Sequence, residues 1–205
     1  MQSKEHWEKV YTKKTHTEVS WFQEHAALSV KLIRDATVPA SASIIDVGGG
    51  SSTLVDDLLA LDYEKITVLD LSSSALATAK KRLGKRASHV LWREENVLEA
   101  EFTEHGYDVW HDRAVFHFLT SEEERHRYVQ QVMGAVKPGG LVMVATFAED
   151  GPTQCSGLPV MRYSAGALHA EFGEPFELIG HERESHQTPD GSEQKFIYCL
   201  CKKMM

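Results

Sequence analysis

Short apolar runs alternate with helix-like segments along most of this 205-residue sequence. The apolar runs have the length of buried strands, and apolar residues recur at helical spacing in the segments between them. Such alternation indicates βαβ units, in which right-handed crossovers join parallel strands. The predicted strands lie at residues 43–47, 66–70, 89–92, 107–112 and 141–147. We therefore predict an α/β fold with a doubly wound, mostly parallel sheet.

The last part of the chain departs from this alternation. A polar loop over residues 148–163 and a short helix near 165–172 precede two strand-like runs. A Pro-Asp-Gly turn at residues 189–191 separates those runs, which indicates a hairpin. We therefore expect a mixed sheet of seven strands that ends in an antiparallel terminal hairpin.

Local signals predict where helices begin and end. Ser20 followed by Gln23 matches a capping box and predicts a helix start there. The Lys-Pro-Gly-Gly sequence at 137–140 is expected to separate a helix from the strand at 141–147. Three further signals are a cap at Ser72 or Ser73, a helix stop at Gly84 and a cap at Thr120 or Ser121.

The charge balance limits the expected partners. The chain has 22 Lys and Arg against 30 Asp and Glu, a net charge of -8. Nucleic acid and acidic membrane surfaces repel such a chain, so neither is an expected partner. The first residues are charged and lack the apolar stretch of a secretion signal, which favours a cytoplasmic location. The cysteines form no Cys-x-x-Cys pair, and the histidines at 105, 111 and 117 share no helix face, so no metal site is predicted.

Polar residues follow the predicted parallel strands at the ends where ligands bind in such sheets. They are Asp46 with the glycine turn 48–50, Asp70, the sequence Glu95-Asn96-Val97, and Asp112 with Arg113. The carboxylate of Asp70 can accept from both hydroxyls of a ribose. The sequence therefore predicts a nucleotide-type cofactor at this edge of the sheet.

Two cofactors fit this pattern. Gly48-x-Gly50 resembles the start of the dinucleotide fingerprint, but Thr53 stands where its third glycine would be. The pyrophosphate of NAD would be repelled by Asp46 and Asp112, whereas S-adenosylmethionine carries a sulfonium and an ammonium group. The charge pattern favours S-adenosylmethionine, and an NAD-dependent oxidoreductase is the alternative.

Five motifs resemble those of class I S-adenosylmethionine-dependent methyltransferases. They are IIDVGGGSS (44–52), VLDLS (68–72), EENVLE (94–99), DVWHDRAVFHFL (108–119) and VKPGG (136–140). The resemblance extends in order from residue 44 to about 147. It implies a Rossmann-like methyltransferase fold with S-adenosyl-L-methionine as the cofactor and S-adenosyl-L-homocysteine as the product. Asn96 departs from the aspartate of many members, but its amide oxygen can still accept from the adenine amino group.

The resemblance and the residue types together assign the cofactor contacts. Gly48 and Gly50 would let the backbone approach the methionine moiety, and Asp46 would take its ammonium group. Asp70 would hold the ribose, with a role as a helix cap as the alternative. The predicted set is Trp7, Tyr11, Asp46, Gly48, Gly50, Ser52, Asp70, Leu71, Asn96, Val97 and Asp112.

A single methyltransferase domain over residues 1–205 follows from this assignment. Residues 1–35 would form an N-terminal helical cap, and Trp7 and Tyr11 would fold over the cofactor, as such segments do in the family. Residues 43–147 would form the cofactor-binding core, and 148–205 the acceptor loop and terminal hairpin.

The predicted catalytic residues are His117, Arg113 and Tyr163. A cation lowers the pKa of a bound thiol, so this set suits a small-molecule acceptor that reacts as an anion, such as a thiolate. Structural roles for His117 and Arg113 are the alternatives. At the level of function, the alternatives are a protein lysine methyltransferase and a cofactor-binding module without turnover.

Overall fold

A computed structural model describes residues 3–13 and 15–204 of the chain. Its centre is a seven-stranded sheet in the order β3-β2-β1-β4-β5-β9-β8, in which β1 to β5 are parallel and β9 is antiparallel to β5. The strands are β1 Ser43–Val47, β2 Lys65–Asp70, β3 Val90–Glu94, β4 Tyr107–Arg113, β5 Val136–Phe147, β8 Phe176–Gln187 and β9 Glu193–Lys203. A small separate hairpin, β6 Gln154–Cys155 and β7 Leu158–Pro159, lies in the loop after β5.

Six α-helices occur in the described residues, together with 3-10 turns at Gly84–His89 and Phe116–Phe118. The helices are α1 Lys4–Lys13, α2 Ala27–Asp35, α3 Leu54–Ala60, α4 Ser73–Leu83, α5 Glu122–Ala135 and α6 Ala165–Phe172. None of them is long and apolar enough to cross a membrane.

Two hydrophobic clusters cover the two faces of the sheet. Alternate residues of a strand point to opposite faces, so Ile44 joins one cluster and Ile45 the other. The Ile44 cluster includes the apolar sides of α2, α3 and α4, and the Ile45 cluster includes those of α5 and α6. The fold is therefore a doubly wound, three-layer α/β structure, as predicted.

Several local predictions are confirmed. β1 occupies residues 43–47, and the predicted hairpin is formed by β8 and β9. Ser72 and Ser121 are the N-caps of α4 and α5, and their side chains accept from the backbone N–H groups of Ala75 and Glu124. Gly84 ends α4 with a φ of 58°. These signals act over three or four residues, which is why the sequence alone could reveal them.

Other local predictions are wrong. The capping box does not form, because α2 begins at Ala27 and its N-cap residue Ala26 makes no side-chain cap. Residues Ser20 and Gln23 instead bind the distant strand β8: the Ser20 carbonyl accepts from His186, and the Gln23 amide donates to Glu184 at 2.7 Å. The Lys-Pro-Gly-Gly sequence is not a break either. β5 already begins at Val136, and an irregularity in its pairing with β4 accommodates these residues.

Candidate functional site

The central strands β1, β2 and β4 end at one edge of the sheet, where the strand order reverses between β1 and β4. A cavity of about 700 Å³ opens there, which we call the inner cavity. It is lined by Trp7, Tyr11, Trp21, Val47, Gly48, Leu69, Asp70, Leu71, Glu95, Val97, Arg113, Ala114, Val115, Phe118 and Cys155. Seven of these residues were predicted to bind cofactor or acceptor: Trp7, Tyr11, Gly48, Asp70, Leu71, Val97 and Arg113.

The glycine turn after β1 has a left-handed backbone, with φ of 68° at Gly48 and 39° at Gly50. A Cβ on Gly48 would lie 2.0 Å from Cγ2 of Val115, and one on Gly50 would lie 2.7 Å from Oδ2 of Asp70. Glycine is therefore required at both positions for two reasons, backbone conformation and space. The space is taken by the side chains of Val115 and Asp70, which form walls of the inner cavity.

The Asp70 carboxylate is buried at the end of β2 and lines the inner cavity. Its Oδ1 accepts from the Ser72 backbone N–H at 2.8 Å, while Ser72 itself is the N-cap of α4. Asp70 therefore is not the helix cap. Burial raises its pKa to about 7, with smaller contributions in the same direction from the charges of Asp46 and Glu8 and an opposing one from the hydrogen bond of the Ser72 backbone.

A second cavity of about 520 Å³ lies beside the first and shares Trp21, Gly48 and Arg113 with it. Asp46 and Ser52, both predicted cofactor residues, line this second cavity. Oδ1 of Asp46 is 2.7 Å from Nδ1 of His111, whereas the buried Oδ2 has no hydrogen-bond partner within the described chain. The two cavities thus form adjoining parts of one elongated site, and the unpartnered oxygen of Asp46 suits a positively charged donor.

Aromatic side chains from the N-terminal region cover the inner cavity. The ring of Trp7 in α1 packs edge-on against Phe118 and Trp21, with centroids 5.1 Å and 6.0 Å away. Tyr11 packs against Trp21 at 6.0 Å. The Tyr11 hydroxyl lies 3.0 Å from the position of a Cβ on Gly50. The cover therefore touches the glycine turn itself.

Arg113 lines both cavities, but its guanidinium is already engaged. It donates to Glu184 and to the Tyr198 hydroxyl, each at 2.9 Å, and to the Trp21 carbonyl at 3.4 Å. It also lies 4.1 Å from the ring centre of Phe196. Despite desolvation by burial, the charges of Tyr198 and Glu184 raise the Arg113 pKa. Arg113 thus connects the N-terminal region to the terminal hairpin.

The other two predicted catalytic residues lie outside both cavities. His117 is fully buried against Phe118 and Phe147, and neither of its ring nitrogens has a partner among residues 3–13 and 15–204. Burial and the charge of Arg113 lower its pKa to about 3, so its imidazole is neutral at pH 7. Tyr163 lies in the cluster on the α5 and α6 face and donates to Glu171.

Two predicted cofactor residues mainly organise the turns beside the site. Asp112 accepts from the backbone N–H groups of Val115 and Phe116 and from the Tyr128 hydroxyl. Burial raises the Asp112 pKa to about 6 against the hydrogen bond from Tyr128. Asn96 accepts from the Leu98 backbone N–H, while its neighbours Glu95 and Val97 line the inner cavity.

Several cavity residues were not among the predicted site residues. Trp21, Phe118, Val115 and Cys155 all line the inner cavity. Trp21 and Cys155 had weak signals, an aromatic near the N-terminus and a thiol in the acceptor loop. Phe118 and Val115 follow β4 within an apolar stretch that is typical of a hydrophobic core. Nothing in the sequence therefore indicated that they line a ligand cavity.

Comparisons with known proteins agree with this geometry. Residues 45–142 match a family described as a methyltransferase domain. The EEF1A lysine methyltransferase 2 of Homo sapiens is 22% identical over 191 residues, which cover 86% of this chain and 75% of that protein. The family match covers the glycine turn, Asp70 and the β4 end, all of which line the two cavities.

Two solved structures have the same fold. One, described for the conversion of a disulfide bond into a thioacetal group during echinomycin biosynthesis, gives a TM-score of 0.79 at 16% identity and covers 98% of this chain and 93% of that chain. The other is the N-methyltransferase NodS from Bradyrhizobium japonicum WM9 in complex with S-adenosyl-L-homocysteine. Its TM-score is 0.72 at 14% identity, and the alignment covers 96% of this chain and 97% of that chain.

This chain is an S-adenosylmethionine-dependent methyltransferase, with its methyltransferase domain over residues 45–142. Its cofactor is accordingly S-adenosylmethionine. The residues of this methyltransferase fit that molecule: the buried carboxylate of Asp70 would hold the ribose, Val97 and Leu71 would form apolar walls for the adenine, and Oδ2 of Asp46 would accept from the ammonium group.

We expect the methyltransferase to bind S-adenosylhomocysteine more weakly as the pH falls. In this assignment the ribose hydroxyls would donate to the ionised Asp70, whose pKa is about 7, so the affinity should be greatest well above pH 7 and should fall as the carboxylate is protonated below it. The affinity should fall roughly tenfold between pH 8 and pH 6. Asp70→Asn should cost about 1.5–3 kcal/mol of affinity at pH 8 and flatten this profile. Calorimetric titration measures both, and a wild-type profile as flat as that of the variant would contradict the assignment.

Proposed function

We propose that this methyltransferase modifies a small-molecule acceptor that reacts as an anion, with a thiolate as the leading case. The observation that carries the proposal is a basic groove outside the inner cavity. This outer groove, of about 920 Å³, is lined by His6, Lys9, Val10, Lys13, Ser20, Trp21, Ser156 and Gly157. Trp21 also lines the inner cavity, so the outer groove adjoins the inner cavity at this residue.

The positive charge of the outer groove comes from Lys9 and Lys13, on one side of α1. His6, Lys9 and Lys13 are three and four residues apart, which places them on the same face of the helix. The opposite wall is the turn between β6 and β7, which contributes Ser156 and Gly157. The whole chain carries a net charge of -8, so this local positive region would draw anions selectively to the site.

The inner cavity suits an acceptor that arrives already deprotonated. Burial raises the pKa of Tyr11 well above its usual value, so it is a neutral phenol at pH 7. Glu95 pairs with Arg93 at 2.7 Å, and this hydrogen bond lowers the Glu95 pKa. His117, with a pKa of about 3, is too weak a base to deprotonate a hydroxyl or an ammonium group at pH 7.

The chain's own residues would position the reactants and exclude water. When bound, S-adenosylmethionine supplies a sulfonium-activated methyl group, which the acceptor's lone pair bonds as the carbon–sulfur bond breaks. Asp46 and Asp70 would fix the two ends of the cofactor. Trp7 and Tyr11 would keep water out of the inner cavity. Holding the two reactants in line in a dry site would accelerate such a transfer.

A protein lysine acceptor is the second candidate, because the relative from Homo sapiens is named as an EEF1A lysine methyltransferase. A lysine side chain carries a positive charge until it is deprotonated. It would meet the ammonium groups of Lys9 and Lys13 in the outer groove. Like charges repel each other, so the electrostatics of the outer groove favour the anionic small molecule over a lysine side chain.

The test follows the label from tritiated S-adenosylmethionine in a lysate separated into protein and small-molecule fractions. We expect the label in the small-molecule fraction, in a product whose precursor binds an anion-exchange resin. Label recovered only in protein would overturn the proposal and support the lysine alternative.

Charge reversal in the outer groove provides a second prediction. The double variant Lys9→Glu/Lys13→Glu should raise the KM for the anionic acceptor roughly tenfold, because the local potential changes sign. The kcat at saturating acceptor should stay within about twofold, since neither lysine lines the inner cavity. Lys81→Glu, an exposed reversal on α4, is the matched control. Initial-rate measurements give KM and kcat for the variant and the control, and equal KM values for the two would refute the role of the outer groove.

A further inference from the structure

A buried chain of hydrogen bonds runs through three side chains of the second cavity. Ser29 Oγ is 2.9 Å from His111 Nε2, and His111 Nδ1 is 2.7 Å from Asp46 Oδ1. The three residues are 1%, 2% and 2% exposed, and all line the second cavity. Buried polar groups of this kind need a specific arrangement, because an unpaired one is costly.

The sheet register builds this arrangement. Asp46 of β1 and His111 of β4 are direct partners across the parallel pair. Their side chains therefore project from the same face of the sheet. Ser29 is a buried residue of α2, the helix that packs on that face. Three elements that are distant in sequence thus place the imidazole between a hydroxyl and a carboxylate.

One tautomer of His111 satisfies both bonds. The Ser29 hydroxyl donates to Nε2, and the Nδ1–H group donates to Oδ1 of Asp46. This leaves Oδ2 of Asp46, which is buried without a partner in the described chain and lies 2.5 Å from the position of a Cβ on Gly49. The unused oxygen is thus fixed beside the glycine turn at the wall of the second cavity.

We propose that His111 and Ser29 are positioning residues that hold Asp46 with its Oδ2 facing the ammonium group of S-adenosylmethionine. His111 fixes the rotation of the carboxylate, and Ser29 fixes the tautomer of His111. The ammonium group then donates to an oxygen that is already oriented, and this raises affinity by reducing the ordering needed on binding. This inference concerns the cofactor and does not depend on the acceptor, so it can fail while the proposed function stands.

The test compares two substitutions of His111 with two ligands. In His111→Asn, the side-chain amide takes the place of Nδ1 and can still donate to Asp46. In His111→Gln, it takes the place of Nε2 and reaches Ser29 instead. S-adenosylhomocysteine carries the ammonium group, whereas 5′-methylthioadenosine has the same adenosine without it. His169→Asn is the control, since His169 is a partly buried histidine with one bond to the Phe176 carbonyl, away from both cavities.

We expect His111→Gln to bind S-adenosylhomocysteine roughly tenfold more weakly, the effect of one charge-assisted hydrogen bond. His111→Asn should bind it within about threefold of the wild type. All three variants should bind 5′-methylthioadenosine as the wild type does, as measured by calorimetry. An equal loss for the two ligands would show a merely structural role, and equal affinities of the Asn and Gln variants for S-adenosylhomocysteine would also overturn the proposal.

Discussion

Replacing Glu184 with leucine is expected to lower the free energy of unfolding by about 3–5 kcal/mol. Glu184 accepts from Arg113 at 2.9 Å, and the two side chains are 14% and 9% exposed. The carboxylate also accepts from Gln23 and Tyr198. Leucine would leave the guanidinium buried without its counter-charge, and removing one partner of a buried pair costs far more than the pair contributes in total.

Chemical denaturation measures this loss, and the melting temperature should fall by roughly 10 °C. Glu182→Leu is the matched control: it lies two positions earlier on β8, its side chain is 50% exposed, and its nearest cation, Lys31, is 4.0 Å away. That exposed contact should be worth less than about 1 kcal/mol. If the two variants differed by less than that amount, Arg113 would not depend on Glu184. The double variant Arg113→Met/Glu184→Leu should recover part of the stability, because no charge is left buried.

The sheet could be predicted because its signals are local and periodic. The β1 strand is a run of apolar residues bounded by polar ones, and the cap at Ser72 is set within three residues of α4. The ligand edge followed from topology, since parallel strands that end together place Asp46 and Asp70 at the same edge of the sheet. These features need no knowledge of distant contacts.

The failed capping box shows what local signals omit. The pattern at Ser20 and Gln23 is a valid helix start, but both residues are bound to β8, more than 160 positions away: Gln23 to Glu184 and Ser20 to His186. Those contacts hold the segment in an irregular path over the site. Trp21 lies within this segment. Its position in the cavity wall depends on the same distant contacts, so the sequence alone could not predict it.

Side-chain alternation explains where the β4 residues lie. His111 and Arg113 project from one face of the strand and line the second cavity, whereas Asp112 projects from the other and binds Tyr128. Neighbours on a strand cannot both face one site. The sequence suggested both Asp112 and Arg113 as site residues, and the alternation would have separated them. It would not have shown that Arg113 is paired with Glu184.

We expect the aromatic cover on α1 to contribute more to the affinity for the cofactor than to the stability of the fold. α1 is anchored on α4 by Glu8, whose carboxylate accepts from the Ser73 backbone N–H at 2.5 Å and from the Ser73 hydroxyl at 3.0 Å. This acceptor lies at the positive N-terminal end of α4. Trp7 and Tyr11 project from α1 into the wall of the inner cavity. No residue of α1 is fully buried. The helix therefore contributes side chains to the wall of the inner cavity and few to the hydrophobic core.

The double variant Trp7→Ala/Tyr11→Ala is therefore expected to bind S-adenosylhomocysteine about a hundredfold more weakly, because two aromatic walls, each worth roughly 1.5 kcal/mol, are lost. Its melting temperature without ligand should change far less than that of Glu184→Leu. Glu5→Ala/Thr12→Ala removes two exposed side chains from the same helix and is the matched control for any loss of helix propensity. Calorimetry compares the affinities. If the aromatic variant kept its affinity within about threefold, the cover would close over the acceptor alone. If it lost stability as strongly as affinity, Trp7 and Tyr11 would belong to the core.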